Sequence, residues 1–402
     1  MPELNPALKS FVSDGVANMK AQLQSITNKT KPGAFKIWSF LLILVLGVVA
    51  IAVHLGKFRP FYETPSNIRR VTANRAREAD KTASKSPRQG LPDYLGTLTS
   101  VPAAEQILGN FQICTVNGAG LFSPAEDGVF STDAVKSVVE AGARACVLEI
   151  WPDLRPGQNF APVLQVVENG STWRRISLNS APFQTLLRTW VSNVFNPGLG
   201  PTSLGNQDVV LIYLRFCGTP RPSTFAGVAA AFQEFEQYRL DTSFHACRGQ
   251  SRLALIPMQE LGQKMIVFSS HKAEGTPLES FINAAPQDGI PVELPLESIK
   301  NGAVNRDILR KNIVFVAPPL NEERTTNNAW DWMTARNVGI QCVAMNLLGK
   351  ASPALDAYRA YFTPSSYKIK AAELRLVPIE TAPTREPVRP TPIEIPEPMK
   401  QL

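Results

Sequence analysis

Asp208-Val-Val-Leu-Ile-Tyr-Leu-Arg-Phe216 (DVVLIYLRF, residues 208–216) is the stretch whose reading decides the fold. Its charges stand only at Asp208 and Arg215, and everything between them is apolar or aromatic. A strand that buries one face alternates apolar and polar residues. An unbroken run belongs to a strand covered on both faces, the habit of parallel sheets. Moving outward, ACVLEIW (145–151) and KMIVFS (264–269) have the same texture. So do FQICT (111–115), NIVFVA (312–317), GIQCVAMN (339–346) and YKIKA (367–371). Helical patterns lie between these runs. Residues 131–142 carry Val135, Val138 and Val139 on one face and stop at Gly142. Ser180 caps APFQTLLRTWVSNVF, and residues 225–238 are a third helix. Strand and helix alternate over roughly 280 residues, the size of one α/β barrel. The expected fold is α/β: a (β/α)8 TIM-barrel-like domain.

The chain has 402 residues, 44% of them hydrophobic, and a formal net charge of +7. The excess is local. Residues 57–88 hold nine Lys/Arg against Glu63, Glu78 and Asp80, so the globular part is near neutral. Five cysteines (Cys114, Cys146, Cys217, Cys247, Cys342) without close spacing make neither a disulfide framework nor a metal site. Cys146, Cys217 and Cys342 sit in apolar strand-like runs and read as small buried hydrophobes. The histidines are His54, His245 and His271.

Residues 37–55, IWSFLLILVLGVVAIAVHL, carry no charge in their interior. At 1.5 Å per residue they cover roughly 28 Å, enough for one transmembrane helix. Lysines before the stretch and Lys57, Arg59, Arg69, Arg70 and Arg75 after it balance, so orientation stays open. Residues 1–36 form an N-terminal amphipathic segment. Residues 56–95 are polar and basic and read as a linker or stalk. Residues 377–402 are Pro-rich and favour extended polyproline II. The expected partners are a lipid bilayer, through the span, and proteins, through the N-terminal segment and the tail. No nucleic acid is expected, because aromatics do not interleave with the basic charges.

The segments of the middle region resemble, in order, the X and Y halves of the phosphoinositide-specific phospholipase C barrel. The family pattern Gly-x-Arg-x-x-Glu-Leu-Asp-x-Trp is similar to Gly142-Ala-Arg144-Ala-Cys-Val147-Leu148-Glu149-Ile-Trp151. A following Pro-Val resembles Pro162-Val163. Glu-Asn-His-Cys resembles Leu214-Arg215-Phe216-Cys217. Pro-x-x-Leu-x-Gly-Lys-Ile-Leu resembles the stretch from Pro257 through Leu261, Gly262 and Lys264 to Ile266. In the Y half, Trp-x-x-Gly-x-Gln-x-Val-Ala-Leu-Asn resembles the stretch from Trp332 through Gly339, Gln341, Val343 and Ala344 to Asn346. Gly-Tyr-x-Leu-Lys-Pro-x-x-Leu-Arg resembles the stretch from Ser366 and Tyr367 to Leu374 and Arg375. The resemblance implies a phospholipase C-like barrel at 96–376, with an X-like half at 105–270, a linker at 271–310 and a Y-like half at 311–376.

It also implies where the chemistry would sit. The family moves protons with two histidines and holds Ca²⁺ with carboxylates and an Asn. Here Val116 stands at the first histidine, and QVVENGSTWRRI, at the second, has none. Val147 and Leu214 stand at two carboxylates, and only Asn117 and Glu149 keep a polar group. Positions of ring-phosphate lysines fall at Phe268 and Ser270. Hydrocarbon side chains neither move protons nor ligate a hard cation. No catalytic residue, cofactor or metal is therefore expected, with calcium entering only if a rearranged site works. His245 and His271 read as loop histidines, and Tyr358 as a helix tyrosine. The sequons at Asn28 and Asn169 carry no inference. The expected role is a membrane-anchored scaffold or interaction protein; a structural membrane protein of a large virus particle is one such setting. The alternatives are an active phosphoric diester hydrolase with a rearranged site and a lipid head-group binder without turnover.

Overall fold

The computed structural model describes Leu42, Leu46 and residues 89–122, 129–150, 165–168, 172–175, 182–195, 207–217, 219–240, 250–286, 290–318, 331–349 and 351–377. Most of the expected segments 1–36, 37–55 and 56–95, the tail beyond residue 377, His245, Cys247 and both sequons lie outside them. No helix among the described residues is long and apolar enough to cross a membrane.

The strands, in chain order, are β1 (Phe111–Asn117), the short pair β2 (Leu121–Phe122) and β3 (Val129–Phe130), β4 (Ala145–Ile150), the hairpin β5 (Gln165–Glu168) and β6 (Thr172–Arg175), β7 (Val210–Phe216), β8 (Met265–Ser269), β9 (Phe315–Val316), β10 (Cys342–Met345) and β11 (Tyr367–Ile369). Six of them form one parallel row in the order β8-β7-β4-β1-β10-β9. The run that opens the sequence reading becomes β7, paired on both edges as its texture requires.

The row curls. β7 and β9 stand four steps apart in it, about 19 Å if the sheet were flat. Yet the rings of Tyr213 and Phe315 stack with centroids 5.0 Å apart. Opposite strands therefore meet across an interior. Single parallel bridges extend the row at both edges, Ala284 on β8 and Glu293 on β9. This corrects the expectation of eight regular strands. Six are strands, two places are held by one-residue bridges, and no pair joins those two among the described residues. The bridging segments, NAAP and PVELP, carry prolines that cannot donate to a ladder. β11 also departs from expectation: it runs antiparallel to β1 at the floor of the barrel.

Alternation along the strands sorts the core into two layers. Phe111, Ile113, Val147, Tyr213, Phe268, Phe315 and Ala344 fill the interior. Val116, Leu148, Leu214, Val267 and Val343 form the outer layer under the helices. The described α-helices are α1 (Leu91–Thr97), α2 (Thr132–Glu140), α3 (Phe183–Phe195), α4 (Pro222–Gln233), α5 (Gln250–Ala254), α6 (Leu296–Lys300), α7 (Arg306–Lys311), α8 (Trp332–Asn337) and α9 (Pro353–Phe362). Their starts are written in the sequence. Ser131 accepts the Ala134 N–H at 3.0 Å to cap α2, and Ser352 does the same for α9 with Pro353 following. Gly142 takes a φ of +92° where the chain turns from α2 into β4, a conformation glycine adopts without strain.

The end of one expected linker and the described residues of the other are part of the folded body. The last residues assigned to the 56–95 stalk form α1, with Leu91 and Tyr94 buried. The Leu91 N–H donates to Asp208 Oδ1 at 2.7 Å, and Arg144 Nε meets Asp208 Oδ2 at 2.6 Å. This buried ion pair fixes α1 to the floor. The expected linker 271–310 supplies Leu278, Phe281, Ile282, Ile299 and Leu309 to the outer core and Ala284 and Val292 to the interior. Polar stretches hid these apolar residues, because composition averages over a window while burial acts on single side chains.

Candidate functional site

The C-terminal ends of the strands form the mouth of the barrel, the end where α/β barrels place their chemistry. Inward positions alternate along each strand. On β1 they are Ile113, Thr115 and Asn117, on β4 Ala145, Val147 and Glu149, and on β7 Leu211, Tyr213 and Arg215. Register sets Asn117 level with Val147, and Glu149 level with Arg215.

The five residues singled out from the sequence therefore divide. Asn117, Val147 and Glu149 share the inner side. Val116 and Leu214 belong to the outer layer, each about 1% exposed or less. The pleat turns these two family-matched positions away from the mouth: a shift of one residue moves a side chain to the opposite face. The inward residue beside Leu214 is Arg215.

Arg215 is the centre of the mouth. Its Nη2 donates to Glu293 Oε1 at 2.6 Å, and its Nη1 to the Pro318 carbonyl at 2.8 Å. Nη1 also lies 3.4 Å from Glu149 Oε1. Tyr213 Oη donates to the other oxygen of Glu293 at 2.7 Å. One guanidinium thus links β4, β7, the 290–294 segment and the second residue after β9. Burial pushes the Glu293 carboxyl up, opposed by Arg215 and the two hydrogen bonds. Burial also holds the Tyr213 phenol well above its ordinary value, so it stays a donor. Asn117 Oδ1 is buried with no hydrogen-bond partner.

This donor set does not fit a calcium ion. A dication beside Glu149 would sit against the fixed positive charge of Arg215, 3.4 Å from that carboxylate. Calcium takes six to eight oxygens, and among the described residues no three metal-ligating side chains gather. The arrangement satisfies a buried cation internally and ties the mouth together.

Other residues fall outside this centre. Phe268 fills the interior below it. Ser270 and His271 follow β8 at the rim, with Ser270 Oγ 2.9 Å from His271 Nδ1. Tyr358 is fully buried, and its hydroxyl bonds Thr115 and the Val343 carbonyl, which locks α9 to β1 and β10. Cys146, Cys217 and Cys342 are buried free thiols, with Cys217 and Cys342 pushed up to about 12 by burial. The sequence reading missed Arg215, Glu293 and Tyr213 as a unit. The one available signal was a charge at Arg215 inside an otherwise apolar strand; Glu293 lay in an assumed linker.

No protein-family model matches the chain, and no curated protein does. Among solved structures the chain is similar to PLC21 of S. officinalis, at 14% identity and a TM-score of 0.51, covering 68% of this chain and 38% of that one. It is similar to PLC21 of L. pealei at 13% identity and a TM-score of 0.48, covering 67% and 38%. It is similar to the phosphatidylinositol-specific phospholipase C of Listeria monocytogenes at 11% identity and a TM-score of 0.39, covering 65% and 96%. The chain spans under two fifths of the length of the two PLC21 proteins. At such identities likeness speaks for the fold alone: this chain has a phospholipase C-like, TIM-barrel-like α/β fold.

Proposed function

We propose that the barrel is a membrane-tethered scaffold or interaction module that does not turn over phosphodiesters. The observation that carries this reading is the Arg215 strut. A guanidinium held by Glu149, Glu293 and the Pro318 carbonyl stands where a diesterase needs an open, cation-binding mouth. General acid and base groups each contribute about 10²–10⁴-fold to such reactions, and the inward residues Asn117 and Val147 supply neither. Residues 37–55 anchor the chain in a bilayer, and residues 1–36 and 377–402 reach protein partners.

The test is an assay of the full-length chain in lipid nanodiscs with phosphatidylinositol and with a generic diester, with and without Ca²⁺. No turnover in either condition is the expected result. Calcium-dependent turnover abolished by Glu149→Gln would overturn the reading. Head-group binding without turnover would make the interaction partner a lipid.

A further inference from the structure

We propose that Ser270 and His271 form a nucleophile–base dyad at the rim of the barrel, able to take the acyl group of a carboxylic ester. The pair follows directly on β8, at the mouth end of the sheet. Ser270 Oγ lies 2.9 Å from His271 Nδ1, within the reach a base needs to activate a hydroxyl. The Phe216 N–H donates to the same oxygen at 2.9 Å. The dyad uses the tautomer in which Nδ1 accepts the hydroxyl proton and Nε2 carries the ring proton.

The imidazole is held from two directions. Its ring meets Phe216 edge to face, with centroids 5.9 Å apart and planes at 75°. Its backbone is fixed by Ser269, whose Oγ accepts the His271 N–H at 3.1 Å and donates to the His271 carbonyl at 2.6 Å. Partial burial pushes the imidazole below its usual value, so the neutral, proton-accepting form prevails at pH 7. Both residues are half-buried rather than enclosed.

The chemistry balances with water as the only co-reactant. Ser270 Oγ bonds to the carbonyl carbon as its proton passes to Nδ1. The carbon–oxygen bond to the alcohol breaks, and the imidazolium returns the proton to the departing alcohol. Water then attacks the acyl-serine and gives one proton to Nδ1; the acyl–Oγ bond breaks, the imidazolium returns that proton to Ser270 Oγ, and the carboxylic acid leaves. Among the described residues no third group orients Nε2, so activated esters are the expected substrates. The dyad shares no residue with the Arg215 strut. Its chemistry stands or falls separately from the proposed function.

The test uses the full-length chain in nanodiscs, a fluorophosphonate probe that phosphonylates the serine with loss of fluoride, and hydrolysis of p-nitrophenyl acetate. The expected result is a label on the peptide bearing Ser270, reduced to background by Ser270→Ala. His271→Gln keeps a polar side chain but no base. It should slow labelling about 100-fold or more at pH 7 and remove the pH dependence in the imidazole range. Ser270→Cys guards against misfolding: the introduced thiol should alkylate faster with His271 than with Gln there. Absence of label at Ser270, or labelling indifferent to His271→Gln, would overturn the proposal.

Discussion

At the scale of single residues, two buried charges dominate. Arg215 holds two carboxylates that would otherwise face each other in a poorly hydrated mouth. Breaking a buried pair by removing one partner costs about 3–5 kcal/mol, because the other charge stays behind. Arg215→Met should therefore lower stability by about 3 kcal/mol or more in urea titration, and adding Glu293→Gln should recover part of it. Equal midpoints for wild type and Arg215→Met would contradict the strut. Lys370 is the opposite case. Its amine is buried with no hydrogen-bond partner, and burial lowers it to about 7. Between pH 7 and its ordinary range near 10.5, the unfolded chain binds a proton that the folded chain does not. Stability from this group must then rise with pH across that window, by up to about 1.4 kcal/mol per unit. Lys370→Met should remove that slope and stabilise more at pH 7 than at pH 10, which melting at the two pH values would read directly.

At the scale of elements, local chemistry and tertiary demand agree at helix starts and disagree at strand faces. The cap of α2 is visible in the sequence and present in the fold. Ser131→Ala should cost about 1 kcal/mol, and Ser131→Asn should be nearly neutral, by thermal melting. Gly120 tests the fit between elements instead. Its φ is +88°, and an added Cβ would meet Leu186 Cδ2 at 2.9 Å and Val135 Cγ2 at 3.0 Å. Gly120→Ala should destabilise by more than the helix cap does, since it strains the backbone and presses on α2 and α3 together. The strands were located from their apolar texture, yet their inward faces were not. In DVVLIYLRF both faces are apolar, so nothing in the period says whether Leu214 or Arg215 points into the barrel.

At the scale of the whole molecule, the floor and the mouth are closed by parts that look dispensable in sequence. α1 caps the floor through Leu91, Tyr94 and the bond from Leu91 to Asp208. A fragment covering residues 89–377 should melt cooperatively. One starting at residue 96 should lose that cooperativity, since it strips the floor and leaves Asp208 without one donor; indistinguishable melts would contradict this role. The segment around Glu293, assumed to be a linker, supplies both a bridge to β9 and the carboxylate for Arg215. The sequence by itself determined the alternation of strand and helix, the parallel character of the sheet and the start of α2 at Ser131. These depend on near neighbours and on the spacing of apolar side chains. Only the tertiary structure decided that Val116 and Leu214 face the helices, that Arg215 spans the mouth, and that residues 91–97 and 271–310 belong to the body. Each of those follows from contacts between residues far apart in the chain, and a strand buried on both sides carries no mark of which side is which.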